Sequence, residues 1–184
     1  PSYGSSEQVL GDANVQNFKV VTKTRHFESF EIKNTDVKLL NNDFHHSLKD
    51  LKQNSVYGVL IHDADDLLKP GAEKLFDKLQ ELKQAEKIVK IGVSVYDHSQ
   101  LQSILDNFDI DLVQLPFNIL DRRMIDSGMF STLRSKGVEV HARSVFLQGL
   151  LLMTEQSRHD KFKRWGGVWK VWHERLNDNQ ITAL

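Results

Sequence analysis

The sequence predicts an α/β fold: a parallel (β/α) barrel, or part of one, with five strands and helices outside. Three observations carry this. First, Val56-Tyr57-Gly58-Val59-Leu60-Ile61 is an almost unbroken apolar run that leads into His62 and Asp63. A run this short, rich in β-branched and aromatic residues, reads as a strand buried on both faces, and such strands belong to parallel sheets covered by helices. Second, four more short apolar segments alternate with stretches of helical spacing, the order that builds right-handed β-α crossovers. Third, no Gly-x-Gly-x-x-Gly follows any of these strands, which disfavours the open dinucleotide-binding sheet.

The elements follow in order. Ser5 and Gln8 stand at capping-box spacing before a short helix that stops at Gly11. Phe18 to Thr22 is a strand with Lys23 at its end. Residues 25–41 are polar, with Asn34 and Asn41, and read as a long loop. Phe44, Leu48 and Leu51 predict a helix capped by Asn42 or Asp43. The strand ending at His62 comes next, then a loop through Pro70-Gly71. A helix with Leu75, Leu79 and Leu82 on its inner face follows. Ile88 to Val93 is a strand ending at Ser94. Asp97 and Gln100 cap a helix whose Leu101, Ile104, Leu105 and Phe108 form an amphipathic stripe. Leu112 to Leu115 is a strand with Gln114 near its end. Met129, Phe130 and Leu133 mark a helix that Gly137 terminates. Val138 to Ala142 is the last strand, followed by Arg143 and Ser144. Residues 154–179 are helix-rich, with Gly166-Gly167 as a break. Residues 1–184 read as a single domain.

The 184 residues carry a formal net charge of -1, from 24 basic and 25 acidic side chains. That balance argues against nucleic acid or an anionic membrane as the main partner. No apolar stretch approaches the ~20 residues of a membrane span. Cysteine is absent, which excludes disulfides and thiolate metal sites. Cytoplasm is the default compartment. Oligomeric state leaves no signal. The chain opens at Pro1 without a Met and stops at Leu184, so both ends read as cut from something longer.

Lys23, His62, Ser94, Gln114 and the pair Arg143-Ser144 each sit at or beside the C-terminal end of a predicted strand. In a barrel those ends share one face, and that face carries the active site. No metal is expected. His45-His46 diverge on a helix, and Asp63, Asp65 and Asp66 lack the Gly and distal Glu of a calcium loop. Trp165, Trp169 and Trp172 read as packing.

The residues also carry a family pattern. Tyr3-Gly4-x-Ser6-Glu7-x-x-Leu10-Gly11, Val21-Thr22-Lys23-Thr24, Leu60-Ile61-His62, Ile91-Gly92-Val93-Ser94 and Val113-Gln114-x-Pro116-x-Asn118, in this order, resemble the aldo-keto reductase family, in a bacterial branch. The resemblance implies a TIM-type (β/α)8 barrel, here partial, lacking its first two strands and its last. It implies a nicotinamide cofactor, NADP or NAD, and a small-molecule aldehyde or ketone as substrate. Tyr3 falls on the family's proton donor, Lys23 on the residue that activates it, and His62 on the residue that orients the carbonyl. The family's catalytic Asp would precede Pro1. Ser94 and Gln114 match positions beside the nicotinamide carboxamide; Arg143 replaces the Tyr that stacks under the ring; Ser144 and Phe146 match positions beside the pyrophosphate. Val95 replaces the usual Asn after the Ser.

The residue types suit the chemistry. A phenol with pKa ~10 is a poor acid at neutral pH, and a neighbouring ammonium lowers that pKa. An imidazole N–H can stabilise the oxyanion that forms as hydride arrives. The rival reading is a non-catalytic, reductase-derived scaffold or fragment that binds a ligand or partner. A Schiff-base aldolase using Lys23 is a remoter alternative.

Overall fold

The computed structural model describes residues 4–182. They form two compact units, one running to Pro116 and resuming over Arg122–Arg143, the other made of Phe117–Asp121 and the chain from Ser144 onward.

The first unit is built on a five-stranded sheet in sequential order, β1 (Val21–Lys23), β2 (Val56–Ile61), β3 (Ile88–Ser94), β4 (Leu112–Pro116) and β5 (Glu139–Arg143). Every neighbouring pair is parallel. Between the strands run α2 (Asn34–Asp50), α3 (Glu73–Gln84), α4 (His98–Leu105), α5 (Arg123–Asp126) and α6 (Met129–Ser135), with α1 (Ser6–Asp12) ahead of β1. Consecutive parallel strands joined by helices are the arrangement of a (β/α) barrel wall. The expected α/β class and five parallel strands are therefore present.

The register sorts the side chains. Val21 pairs with Gly58, Gly58 with Lys90, Gly92 with Leu112, and Leu112 with Glu139. Successive residues of a strand point to opposite faces, so these partners share one face. The other face holds Val59, Ile61, Ile91, Val93, Val113 and Leu115, none more than 3% exposed. Against it pack Leu75 and Leu79 of α3 and Leu101 and Ile104 of α4, all fully buried. This is the helix-covered side.

On the first face the backbone comes very close. A Cβ at Gly92 would sit 2.1 Å from Leu112 O and 2.8 Å from Leu60 Cδ2. Only glycine fits there. Gly11 plays a like part in α1, where a Cβ would meet Asp50 O at 2.0 Å, at the C-terminal end of α2.

At the N-terminal end of this face lies a polar hub. Glu139 accepts hydrogen bonds from the Tyr57 hydroxyl at 2.6 Å and from the Lys90 ammonium, and its other oxygen lies 2.8 Å from His141 Nε2. Lys19 Nζ stands 4.7 Å over the Tyr57 ring. Tyr57 N and Gly58 N both bond to Val20 O, at 2.9 and 3.2 Å, as at a bulge, where one residue is re-aimed. The Lys90 hydrogen bond, then those of Tyr57 and His141, hold the Glu139 carboxyl down to about 2.

Four elements differ from expectation. α2 begins at Asn34, inside the expected loop, because Lys33 N bonds to Asp36 Oδ2 at 2.8 Å and Leu40, Phe44 and Leu48 turn one face into the core. β1 starts at Val21, since Phe18 closes a turn onto Val15 O and is 72% exposed. The capping box expected at Ser5 does not form; Ser5 makes no side-chain cap. In the second unit a 3-10 turn (Asp160–Trp165) leads directly into α7 (Gly166–Asp178), so Gly166-Gly167 open a helix. A further 3-10 segment covers Leu147–Leu152. Trp169 is buried, and Trp172 Nε1 donates to Leu151 O at 3.0 Å.

Two outcomes are expected. Gly92→Ala should destabilise the protein by ~3 kcal/mol or more, through backbone displacement, read as loss of soluble expression or a lower urea midpoint. Glu139 has a folded pKa below its unfolded value, so its contribution is present above pH ~4.5 and fades as pH falls toward 2. Glu139→Gln should therefore cost ~1–2 kcal/mol at pH 7, allowing for solvent screening, and the gap to wild type should narrow at pH 3. An equal gap at both pH values would exclude this role for the hub.

Candidate active site

The first face ends, at its C-terminal edge, in Lys23, His62, Ser94, Gln114 and Arg143. Lys23 is the last residue of β1 and pairs with Leu60. Two residues beyond Leu60 on the same face is His62. The ladder runs on past the strand ends: Thr24 N donates to Leu60 O at 2.9 Å, and His62 N donates to Thr24 Oγ1 at 3.2 Å. Thr24, 6% exposed, thus fixes the backbone of His62 from the neighbouring strand. Ser94 pairs with Gln114, and Val95 N donates to Gln114 O at 2.9 Å. Arg143 pairs with Pro116.

The chain leaving Lys23 is pinned. Arg25 makes a two-pronged bond to Asp43 of α2, with Nε–Oδ2 at 2.5 Å and an Nη–Oδ1 distance of 2.8 Å. Phe27 is buried, and its N–H donates to Asp66 Oδ2 at 3.2 Å. Asp66 is wholly buried and also holds Lys69 at 2.7 Å, and Lys69 in turn donates to Phe27 O. His26 lies 3.1 Å from Asp63. Ile32 N donates to Pro70 O at 2.8 Å. The loops after β1 and β2 are therefore tied together beside Lys23 and His62.

The electrostatics of His62 follow from its surroundings. Burial lowers its pKa first, and the nearby charge of Lys23 lowers it further; Asp63 opposes both. At neutral pH the ring is uncharged and has one N–H to give. The Asp residues expected to serve as caps do so locally: Asp63 Oδ1 accepts from Asp65 N at 3.1 Å, and Asp97 Oδ1 from Gln100 N at 2.9 Å. His45 Nδ1 lies 2.8 Å from Asn41 O, and His46 Nε2 3.4 Å from Asp50. Among the described residues no group of three or more His, Asp and Glu is placed to hold a metal ion, and no helix is long and apolar enough to cross a membrane.

Arg143 reaches well past its own strand. One of its terminal nitrogens donates to Val95 O at 3.2 Å, and its guanidinium lies 4.2 Å from the centre of the Tyr96 ring. Starting on β5, it spans the end of β4 to reach the end of β3. Tyr96 and Thr24 are the residues that sequence reasoning missed; Thr24 was within a quoted motif, and Tyr96 gave no signal.

Of the remaining expected residues, Ser144 and Phe146 belong to the second unit. Ser144 has φ 59 and its carbonyl accepts from Asn118 Nδ2 at 3.3 Å; Phe146 is exposed. Leu147 and Gln148 also have positive φ, 48 and 54. Three non-glycine residues in the left-handed region within five positions is strained backbone, of the kind found at ligand-holding loops. Tyr3 lies outside the described residues.

A parallel β-α wall with polar side chains gathered at its C-terminal rim is the architecture of a barrel enzyme of the (β/α)8 class. Within that class the match is specific: residues 1–181 fit the model of the aldo/keto reductase family, and the chain belongs to this family. Over 106 residues it is 32% identical to an NADH-specific methylglyoxal reductase of Escherichia coli (strain K12), a match covering 58% of this chain and 32% of that protein. Among solved structures, a glycerol dehydrogenase from Gluconobacter oxydans superposes with a TM-score of 0.71 at 17% identity, over 96% of this chain and 61% of that one. An aldo/keto reductase from Klebsiella pneumoniae, in complex with NADP and acetate, gives 0.65 at 18%, over 96% and 58%. The holo form of a Bacillus halodurans aldo-keto reductase gives 0.64 at 24%, over 80% and 49%. At such identities the structural likenesses show the fold. The chain spans about a third of the curated relative's length and half to three-fifths of these solved chains.

His62 should titrate below the ordinary value of 6.5 in histidine NMR spectra, and Lys23→Met should move its midpoint upward, because the repelling charge is gone. A midpoint at or above 6.5 that ignores Lys23→Met would contradict the electrostatics described here.

Proposed function

We propose that this chain carries the catalytic rim of an NAD(P)-dependent carbonyl reductase acting on an aldehyde or ketone. The observation that most supports this is the register that brings Lys23 and His62 to one edge of one sheet face, with Ser94 and Gln114 on the next two strands. Family membership and the Escherichia coli reductase relative support it further.

The donor set suits a nicotinamide. A carboxamide presents one oxygen acceptor and one NH2 donor; the Ser94 hydroxyl and the Gln114 side-chain amide, on paired residues, supply the complements. Ser144 and Phe146, in a loop of left-handed residues, are the candidates for the phosphate portion. When bound, the nicotinamide supplies the hydride and takes it back in the reverse reaction. NADP and NAD are both within this reading.

In the proposed mechanism His62 holds the substrate carbonyl. Its ring is neutral, so its N–H donates to the carbonyl oxygen without competing as the acid. Tyr3 gives that oxygen its proton, and Lys23 favours the phenolate left behind. Thr24 positions His62 through its backbone N–H. Burial of the site's apolar floor, Leu60 and Leu112, keeps water from the reacting face.

The test is cofactor titration with turnover of a generic aldehyde. Binding with turnover is expected, and His62→Gln or Tyr3→Phe should lower kcat by about 100-fold or more while the cofactor still binds. Cofactor binding with no turnover, unchanged by Tyr3→Phe, would instead establish a non-catalytic ligand-binding scaffold.

A further inference from the structure

A cation lies across the strand ends that carry Ser94 and Gln114. Arg143 leaves β5 opposite Pro116, which stands two residues beyond Gln114 on the same face of β4. One of its terminal nitrogens donates to Val95 O, the carbonyl next after Ser94, at 3.2 Å. The side chain therefore runs from β5 past the end of β4 to the end of β3. Tyr96 fixes the guanidinium from one side, with its ring centre 4.2 Å away. Arg143 is half-buried, and its Nε is shielded from solvent and meets no acceptor. Among the described residues its partners are this carbonyl and this ring, and no carboxylate pairs with it. The acids close by in sequence are engaged elsewhere: Asp63 caps a turn and faces His26, and Asp97 caps α4. A guanidinium is a permanent cation in proteins. The two redox states of a nicotinamide differ by one charge at the ring: the oxidised ring is a pyridinium cation, and the reduced dihydropyridine ring is neutral. A fixed cation beside the ring thus penalises the oxidised form alone, and a half-buried site screens that repulsion less than open water does.

We propose that Arg143 is a specificity-determining residue for the redox state of the cofactor: its charge makes this nicotinamide site take the reduced form in preference to the oxidised one. This rests on the carbonyl-reductase reading of the same face, with the carboxamide on Ser94 and Gln114. A ring anchored on those two residues has this guanidinium as its neighbouring charge. Lys23 stands two strands away from Ser94, on β1, so its charge bears less on the ring. Tyr96 and the Val95 carbonyl are positioning groups, which hold the Arg143 charge at the rim. The oxidised cofactor is then released faster after turnover, and the site reloads with the reduced form. By linkage the preference raises the potential of the bound couple, by about 30 mV for each tenfold.

The experiment measures equilibrium dissociation constants without substrate, for NADH against NAD+ and for NADPH against NADP+. The reduced forms are titrated by their own fluorescence and the oxidised forms by competition with them. Within each pair the adenosine and pyrophosphate contacts are shared, so the ratio of the two constants isolates the ring. In the wild-type protein the oxidised form is expected to bind about 10-fold more weakly, or weaker still. In Arg143→Gln, which keeps a polar side chain without the charge, the ratio should fall by about 5-fold or more, and Arg143→Lys should hold it. A loss of stacking alone moves both constants together and leaves the ratio unchanged. Tyr96→Leu is a second variant, at an exposed ring outside any strand. It should also lower the ratio, at an unchanged melting temperature, because the guanidinium is no longer held. A ratio near one in the wild type, or one that Arg143→Gln leaves unchanged, overturns the proposal and leaves the reductase reading intact. Failure of the wild type to bind either member of both pairs overturns the two together. A wild-type ratio in Tyr96→Leu overturns the positioning role of that ring.

Discussion

The Leu112 carbonyl, with a Leu60 methyl beside it, occupies the space where residue 92 would carry a side chain, and the rim of the sheet depends on that close approach. Gly92 lets the neighbouring backbones and the Leu60 methyl share one place. The register this fixes sets Leu60 against Gly92 and Gly92 against Leu112. Counting two residues onward along each strand gives His62, Ser94 and Gln114 on the same face. A slip of one residue would turn all three toward the helices. The side chains proposed to carry the chemistry are therefore held by a packing constraint in the middle of the sheet.

The same face has two polar ends with an apolar middle. At the N-terminal end Glu139 gathers Tyr57, Lys90 and His141 into a neutralised group. At the C-terminal end stand Lys23, His62 and Arg143. Burial and Lys23 lower the pKa of His62, while the Arg143 guanidinium lies beside a carbonyl and a ring. At the N-terminal end the polar groups are tied to one another through Glu139. That division matches the stability and activity faces of a parallel barrel.

Much of this was legible from residue order. The apolar runs over 56–61, 88–93 and 112–115 are strands because both of their faces are covered, and periodicity detects that. Lys23, His62, Ser94 and Gln114 could be placed at strand ends without coordinates. The asparagines of 34–42 concealed the first turns of α2: Leu40, Phe44 and Leu48 keep helical spacing, and tertiary burial outweighs the weak helix propensity of Asn. Phe18 looked like the start of a strand, yet its ring is exposed and pairing begins at Val21. The Glu139 hub was not visible, because it joins residues 57, 90 and 139 through a bulge that no local pattern announces. Arg143 was visible as an unusual residue; its stack on Tyr96, across a whole strand, was not. Tyr3 lies outside the described residues, so its place rests on the sequence motif.

The most direct measurement is the map of backbone amide shifts when NADH is titrated into the isotope-labelled protein. The largest shifts should fall at the strand ends, around Thr24, Asp63, Val95, Leu115 and Ser144. Shifts confined to the opposite end of the sheet, around Tyr57, Lys90 and Glu139, or to the outer surfaces of α3 and α4, would contradict the placement of the site.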